Sequence, residues 1–136
     1  MAHAREMAQH KSTAPELIIV VIDDDLAVRN SLKFSLEIEG LTVRSYETGE
    51  ELLRANDLER CDCFVVDQKM PGMSGLDLIA TLRARQINAP AILITSHPGL
   101  LLRERAKNAG IPIIEKPLLG NALFDKIRDV VAEGHR

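Results

Sequence analysis

The stretch Cys63-Phe64-Val65-Val66-Asp67-Gln68-Lys69-Met70-Pro71-Gly72-Met73-Ser74-Gly75 decides how this chain is read. Its first four residues, apolar and partly β-branched or aromatic, predict a buried strand, and the Met-Pro-Gly and Ser-Gly that follow must break it. One carboxylate, Asp67, is thereby carried to a strand's carboxyl end and presented at the start of a turn-rich loop. An aspartate that merely caps a turn is the alternative, so the meaning of Asp67 depends on the rest of the chain.

Upstream, Leu17 to Ile22 is a strand-like run, and Leu26 to Glu39 carries helical periodicity ended by Gly40. Leu41 to Tyr46 is a second strand, after which Thr48 and Glu51 form a capping-box pattern for a short helix through Ala55. Downstream, Leu76, Ile79 and Leu82 recur at helical spacing in a helix from about Gly75 to Gln86. Pro90 opens a fourth strand, Ala91 to Thr95, and a helix near Gly99 to Ala109 ends at Gly110. Pro112 to Glu115 is a fifth strand before Lys116-Pro117. The last helix, Leu119 to Ala132, has an inward stripe of Leu123, Ile127, Val130 and Val131, with Asp125, Lys126, Arg128 and Asp129 outward. Strands alternating with helices imply a parallel sheet covered on both faces, because each parallel crossover needs a helix and is nearly always right-handed. The fold class is doubly wound α/β. In such sheets ligands sit beyond the carboxyl ends of the strands.

A length of 136 residues with 46% hydrophobic content suffices for one domain with its own core. We place it at residues 17–134, with the polar, aperiodic residues 1–16 as a flexible tail. A net charge of −3, with no basic cluster interleaved with aromatics, argues against direct nucleic-acid binding. The longest apolar run is far too short for a membrane span, and the N-terminus lacks a signal peptide's apolar core, so a cytoplasmic protein is expected. Cys61 and Cys63, two apart, are expected to share one strand face as reduced thiols, and no further Cys or His cluster offers a zinc site.

The predicted strand ends bring together Asp23-Asp24-Asp25, Asp67, Thr95-Ser96 and Lys116-Pro117. Like charges about 4 Å apart repel by ~4 kcal/mol at an effective dielectric of 20, and a divalent cation would relieve that. Carboxylates completed by water and a phosphoryl oxygen describe a Mg²⁺ site better than a zinc or calcium cage. The plainer alternative is that the acidic run caps the following helix, which is the role expected of Asp25.

Taken together, Ile22-Asp23-Asp24-Asp25, the Asp67-x-x-Met70-Pro71-x-x-x-Gly75 signature, Thr95 and Lys116-Pro117 resemble the receiver domain of two-component response regulators, over about Leu17 to Glu133. The resemblance implies a flavodoxin-like (βα)5 sheet of strand order 2-1-3-4-5. It makes Asp67 the phosphoryl acceptor, with Mg²⁺ held by Asp24 directly, Asp23 through water, Asp67 and the backbone carbonyl of Lys69. Thr95 and Lys116 would contact the phosphoryl group, and a cis peptide before Pro117 would aim the lysine. Chemistry agrees with these roles: a carboxylate attacks phosphorus only if the incoming charge is masked where it develops. Ser96 is small enough to leave the donor a path.

The implied function is a stand-alone receiver, with no output domain expected after Arg136. It would take a phosphoryl group from a sensor histidine kinase or histidine phosphotransfer protein and signal through a changed surface to a downstream protein or a second copy. It would catalyse only its own phosphorylation and dephosphorylation. A fragment of a longer transcription regulator is the alternative within the family. A haloacid-dehalogenase-type phosphatase with Asp23 as nucleophile would need a further acidic pair at a strand end, whereas only Asp125 and Asp129 follow Lys116, on a helix. A flavodoxin-like electron carrier lacks its phosphate loop here, and aromatics are only 3%.

Three features bear on output and on the lifetime of the phosphoryl group. Ile113 stands where receivers usually place an aromatic residue. Lys69 and His97, two beyond Asp67 and Thr95, are bulky and flank the line of attacking water. Leu100 and Leu101 are expected to leave apolar surface on the fourth helix, since only part of Leu100-Leu101-Leu102 can face inward.

Overall fold

The computed structural model describes residues 16–134, so the expected tail lies outside the described residues apart from Glu16. The strands are β1 Ile18–Ile22, β2 Thr42–Tyr46, β3 Cys63–Asp67, β4 Ala91–Thr95 and β5 Ile113–Glu115. The helices are α1 Leu26–Ile38, α2 Gly49–Leu53, α3 Gly75–Ala84, α4 Leu100–Asn108 and α5 Ala122–Gly134. A single 3₁₀ turn, Leu58–Arg60, precedes β3. The order across the sheet is β2-β1-β3-β4-β5, all neighbours parallel, as the family resemblance implies.

The strand runs are apolar throughout because both faces are covered, and successive side chains point to opposite sides. Val20, Ile22, Phe64, Val66 and Leu93 face one layer with Leu52 of α2, Leu78 and Leu82 of α3 and Ala106 of α4. Ile19, Val21, Val65, Ile92 and Ile94 face the other, with Leu32 and Leu36 of α1 and Leu123, Ile127 and Val131 of α5. Two helices cover one face and three the other, so the carboxyl ends of the strands open between layers.

Local chemistry sets the boundaries. Gly40 takes φ +93 after α1, the left-handed conformation that closes a helix at little cost for glycine. Gln86 takes φ +66 and performs the same task for α3, which therefore ends at Ala84, two residues before its expected end. The last helix begins at Ala122 rather than Leu119 because Gly120, at φ +62, interrupts the turn after Pro117. Thr48 Oγ1 accepts from Glu51 N at 3.0 Å, but the reciprocal bond to Glu51 Oε1 comes from Glu47 N at 2.8 Å, one residue earlier than a capping box requires. The cysteine expectation is corrected: both thiols are free and buried, yet Cys61 packs in the layer of α2 to α4 and Cys63 in the opposite one. Cys61 closes the 3₁₀ turn outside the strand, so period-two facing does not apply to the pair.

Candidate functional site

Register assembles the site. β1 and β3 pair Ile22 with Val66, so the residues that follow, Asp23 and Asp67, emerge side by side. β3 pairs with β4 through Asp67 and Ile94, and β4 with β5 through Thr95 and Glu115, which sets Thr95 and Lys116 along the same rim. Lys116 N donates to Thr95 O at 2.8 Å, holding the chain past the end of β5. The Lys116–Pro117 peptide is cis.

Asp23, Asp67 and Thr95 are buried polar residues, 0%, 4% and 1% exposed, while Asp24 is exposed. Carboxylate oxygens of Asp23, Asp24 and Asp67 lie within 4.8 Å of one another. Lys116 Nζ spans two of them, 3.2 Å from Asp23 Oδ2 and 3.3 Å from Asp67 Oδ1. Three carboxylates thus face one ammonium. Burial, then the charge of Asp23, push the Asp67 carboxyl up to about 6, although Lys116 pulls the other way. For Lys116 burial favours the neutral amine, but the charges of Asp67 and Asp23 outweigh it and hold the ammonium above its usual range. A cluster of hard oxygens with unbalanced charge fits a small divalent cation such as Mg²⁺. The carbonyl of Lys69 accepts no backbone hydrogen bond from the described residues and so keeps its lone pairs.

Asp25 caps α1 as expected: its Oδ1 accepts from Ala27 N at 2.9 Å and Val28 N at 3.4 Å. Asp23 Oδ1 accepts from Asp25 N at 2.9 Å, which leaves its Oδ2 for Lys116. Thr95 Oγ1 donates to Ser96 O at 3.3 Å, so the hydroxyl is turned along its own loop. Ser96 is half-buried, and Lys69 and His97 are exposed, neither bonded to Asp67 among the described residues. Leu100 and Leu101 are 75% and 69% exposed, whereas Leu102 and Ile113 pack against the core.

Two contributors escaped the sequence reading, and a third entered it only through the signature. Gln68 Oε1 accepts from Leu76 N at 2.9 Å and Gln68 O from Gly75 N at 3.1 Å, tying the loop after Asp67 to the start of α3. No pattern in the chain announces that role. Gly75, known only as part of the signature, has a physical reason: a Cβ there would sit 2.6 Å from Asp67 O and 2.8 Å from Leu93 Cδ1. Arg29 Nη1 donates to Asp23 O at 2.7 Å. Its signal was available, since a cation in a helix's first turn opposes the macrodipole and needs a local anionic or carbonyl partner.

Residues 19–128 match the family model of the response regulator receiver domain. The chain belongs to that family. Among curated receiver-containing relatives, the transcriptional regulatory protein FixJ of Azorhizobium caulinodans is 40% identical over 117 residues, covering 84% of this chain and 55% of that protein. Nodulation protein W of Bradyrhizobium diazoefficiens is 30% identical over 124 residues, covering 90% and 55%. The chain spans about half the length of the curated relatives it matches. Among solved structures, a response regulator receiver domain protein from Clostridium thermocellum superposes with a TM-score of 0.81 at 27% identity, covering 88% of this chain and 97% of that one. The FixJ-N crystal structure gives 0.75 at 31% identity, covering 88% and 96%. Receiver domains bind Mg²⁺ at an acidic pocket and accept phosphoryl groups from sensor kinases. No helix among the described residues is long and apolar enough to cross a membrane.

Proposed function

We propose that this receiver takes a phosphoryl group onto Asp67 from a phosphohistidine of a sensor histidine kinase or histidine phosphotransfer protein, in the cytoplasm. The observation that carries the reading is the Lys116 ammonium bridging Asp23 and Asp67 inside a three-carboxylate cluster at the ends of β1 and β3. Asp24, Asp67 and the Lys69 carbonyl would hold Mg²⁺, with Asp23 reaching it through water. When bound, the cation supplies charge neutralisation at the phosphoryl oxygens and the acceptor carboxylate.

An Asp67 carboxylate oxygen forms the new bond to phosphorus. The bond to the donor's imidazole nitrogen breaks, its electron pair stays on that nitrogen, and the ring takes up a proton. Lys116, drawn off Asp67 Oδ1 as that oxygen loses charge, follows the negative charge onto a phosphoryl oxygen. Thr95 Oγ1, released from its bond to Ser96 O, donates to another. The half-buried Ser96 leaves a path to the buried acceptor.

Output follows from the same movement. A rotating ring cannot couple Thr95 to the surface here because Ile113 carries no ring, so the shift passes to α4 and the loop before it. Leu100 and Leu101 present the apolar surface that a downstream protein or a second copy would cover. A second reading, the receiver part of a longer transcription regulator, is favoured by the 55% coverage of relatives that are transcriptional regulatory proteins by name. The test is Mg²⁺-dependent labelling by acetyl phosphate or a phosphohistidine protein. Asp67→Asn is expected to abolish the acid-stable, hydroxylamine-labile label and Asp24→Ala to remove most of its Mg²⁺ dependence. Label persisting in Asp67→Asn overturns the assignment.

A further inference from the structure

We propose that Arg29 is a positioning residue for the cation-binding carboxylate of Asp24, an inference that rests on the Mg²⁺ reading above. Asp24 is exposed, and its carboxylate makes no hydrogen bond or ion pair among the described residues. Its direction is therefore set by the backbone on either side. Both flanking peptides are pinned. The carbonyl of Asp23, in the peptide joining Asp23 to Asp24, accepts from Arg29 Nη1 at 2.7 Å. The N–H of Asp25, in the peptide joining Asp24 to Asp25, donates to Asp23 Oδ1 at 2.9 Å. Asp25 then caps α1, and Arg29 N donates to Asp25 O at 3.0 Å, closing the same turn. The acidic loop is thus clamped from both ends, with the guanidinium as the only side-chain donor from α1 to a backbone carbonyl within it.

The location of this cation makes its role testable. Arg29 is half-buried in the first turn of α1, where a positive charge opposes the helix dipole. It also stands beside carboxylates whose affinity for Mg²⁺ a nearby cation lowers through repulsion. Considered as a charge alone, Arg29 works against metal binding, so its removal would tighten Mg²⁺. Considered as a clamp, its removal lets the Asp23–Asp24 peptide rotate and Asp24 leave its position, so Mg²⁺ weakens. Loss of groups that orient a metal ligand typically costs about 10- to 100-fold in affinity. The opposed signs separate the two roles without reference to overall stability.

The experiment titrates MgCl₂ into the full chain, reading the amide resonances of Asp24 and Asp25 by NMR, for the parent, Arg29→Ala, Arg29→Met, Arg29→Gln and Arg29→Lys. The expected result is Mg²⁺ binding about 10-fold weaker in Arg29→Ala, with most of the parent affinity restored in Arg29→Lys, which keeps one donor to the carbonyl. Arg29→Met, which keeps bulk but no donor, should match Arg29→Ala and serves if that variant does not fold; Arg29→Gln, a neutral donor, should bind Mg²⁺ more tightly than either. Affinity equal to or tighter than the parent in Arg29→Ala or Arg29→Met overturns the proposal. A parent that shows no Mg²⁺-dependent shift, with Asp24→Ala identical to it, overturns the metal reading beneath.

Discussion

Neutralising Asp67 should stabilise the metal-free protein, and the size of the effect follows from its surroundings. Its carboxyl ordinarily titrates at 3.8 and is lifted to about 6 here by burial and by the charge of Asp23. A carboxyl whose folded value lies above its unfolded value binds protons more tightly when folded. Its favourable contribution is therefore complete below about pH 4 and is lost as pH rises through about 6. The displacement from 3.8 to about 6 corresponds to about 3 kcal/mol in total, of which roughly 1.4 kcal/mol falls between pH 5 and 8. Asp67→Asn removes the titration while Lys116 keeps Asp23 at 3.2 Å. In EDTA, urea unfolding followed by far-UV circular dichroism should show the parent losing roughly 1.4 kcal/mol more than Asp67→Asn between pH 5 and 8. Excess Mg²⁺ should restore much of that loss in the parent through binding to the folded state, and less in the variant. Equal pH slopes, or a parent more stable than Asp67→Asn at pH 8 in EDTA, would refute the claim that burial and the neighbouring charge of Asp23 destabilise the Asp67 carboxylate.

Gly75→Ala should cost about 1–3 kcal/mol, since its Cβ must displace Asp67 O or Leu93; thermal unfolding checks this, and labelling should fall with it. If Lys69 and His97 shield the acyl phosphate, Lys69→Ala and His97→Ala should each speed dephosphorylation in a pulse–chase measurement; unchanged rates in both remove the shielding. Beryllofluoride should alter self-association or partner binding in the parent, and Leu100→Ser or Leu101→Ser should blunt that response with labelling intact. Ile113→Ala should blunt it only modestly, so complete loss there, measured by analytical ultracentrifugation, would move the switch off α4.

Much of this was written in residue order alone. Continuous apolar runs leading into Asp23, Asp67, Thr95 and Lys116 define both the sheet and the rim where these residues meet, because a parallel sheet brings all its carboxyl ends to one side. Helical geometry left only part of the leucine triplet able to face inward, and the structure assigns that place to Leu102, with Leu100 and Leu101 outside. What escaped were features without periodicity. Gln86 closes α3 with a left-handed residue that is not glycine, so nothing in its identity marked the boundary. The cysteine pair was misplaced because a 3₁₀ turn intervenes before the strand, and a period applies only inside an element. Gln68 acts on backbone atoms, which every residue has, so no complementary side chain in the sequence could reveal its partners; Arg29 acts on a carbonyl too, and only its charge at the start of a helix marked it.

The fifth strand carries a consequence for how the site responds. β1 and β3 are hydrogen-bonded on both sides, whereas β5 is three residues long, lies at the sheet edge and pairs only with β4. Two of the reacting charges are therefore mounted on fixed posts and the third on a hinge. In hydrogen-exchange terms, amides of β1 and β3 should open only with global unfolding, and those around Lys116 through cheaper local excursions. When charge at Asp67 changes, the ammonium's support is the part that yields, so the sheet edge next to α4 is where the chemical event first becomes motion.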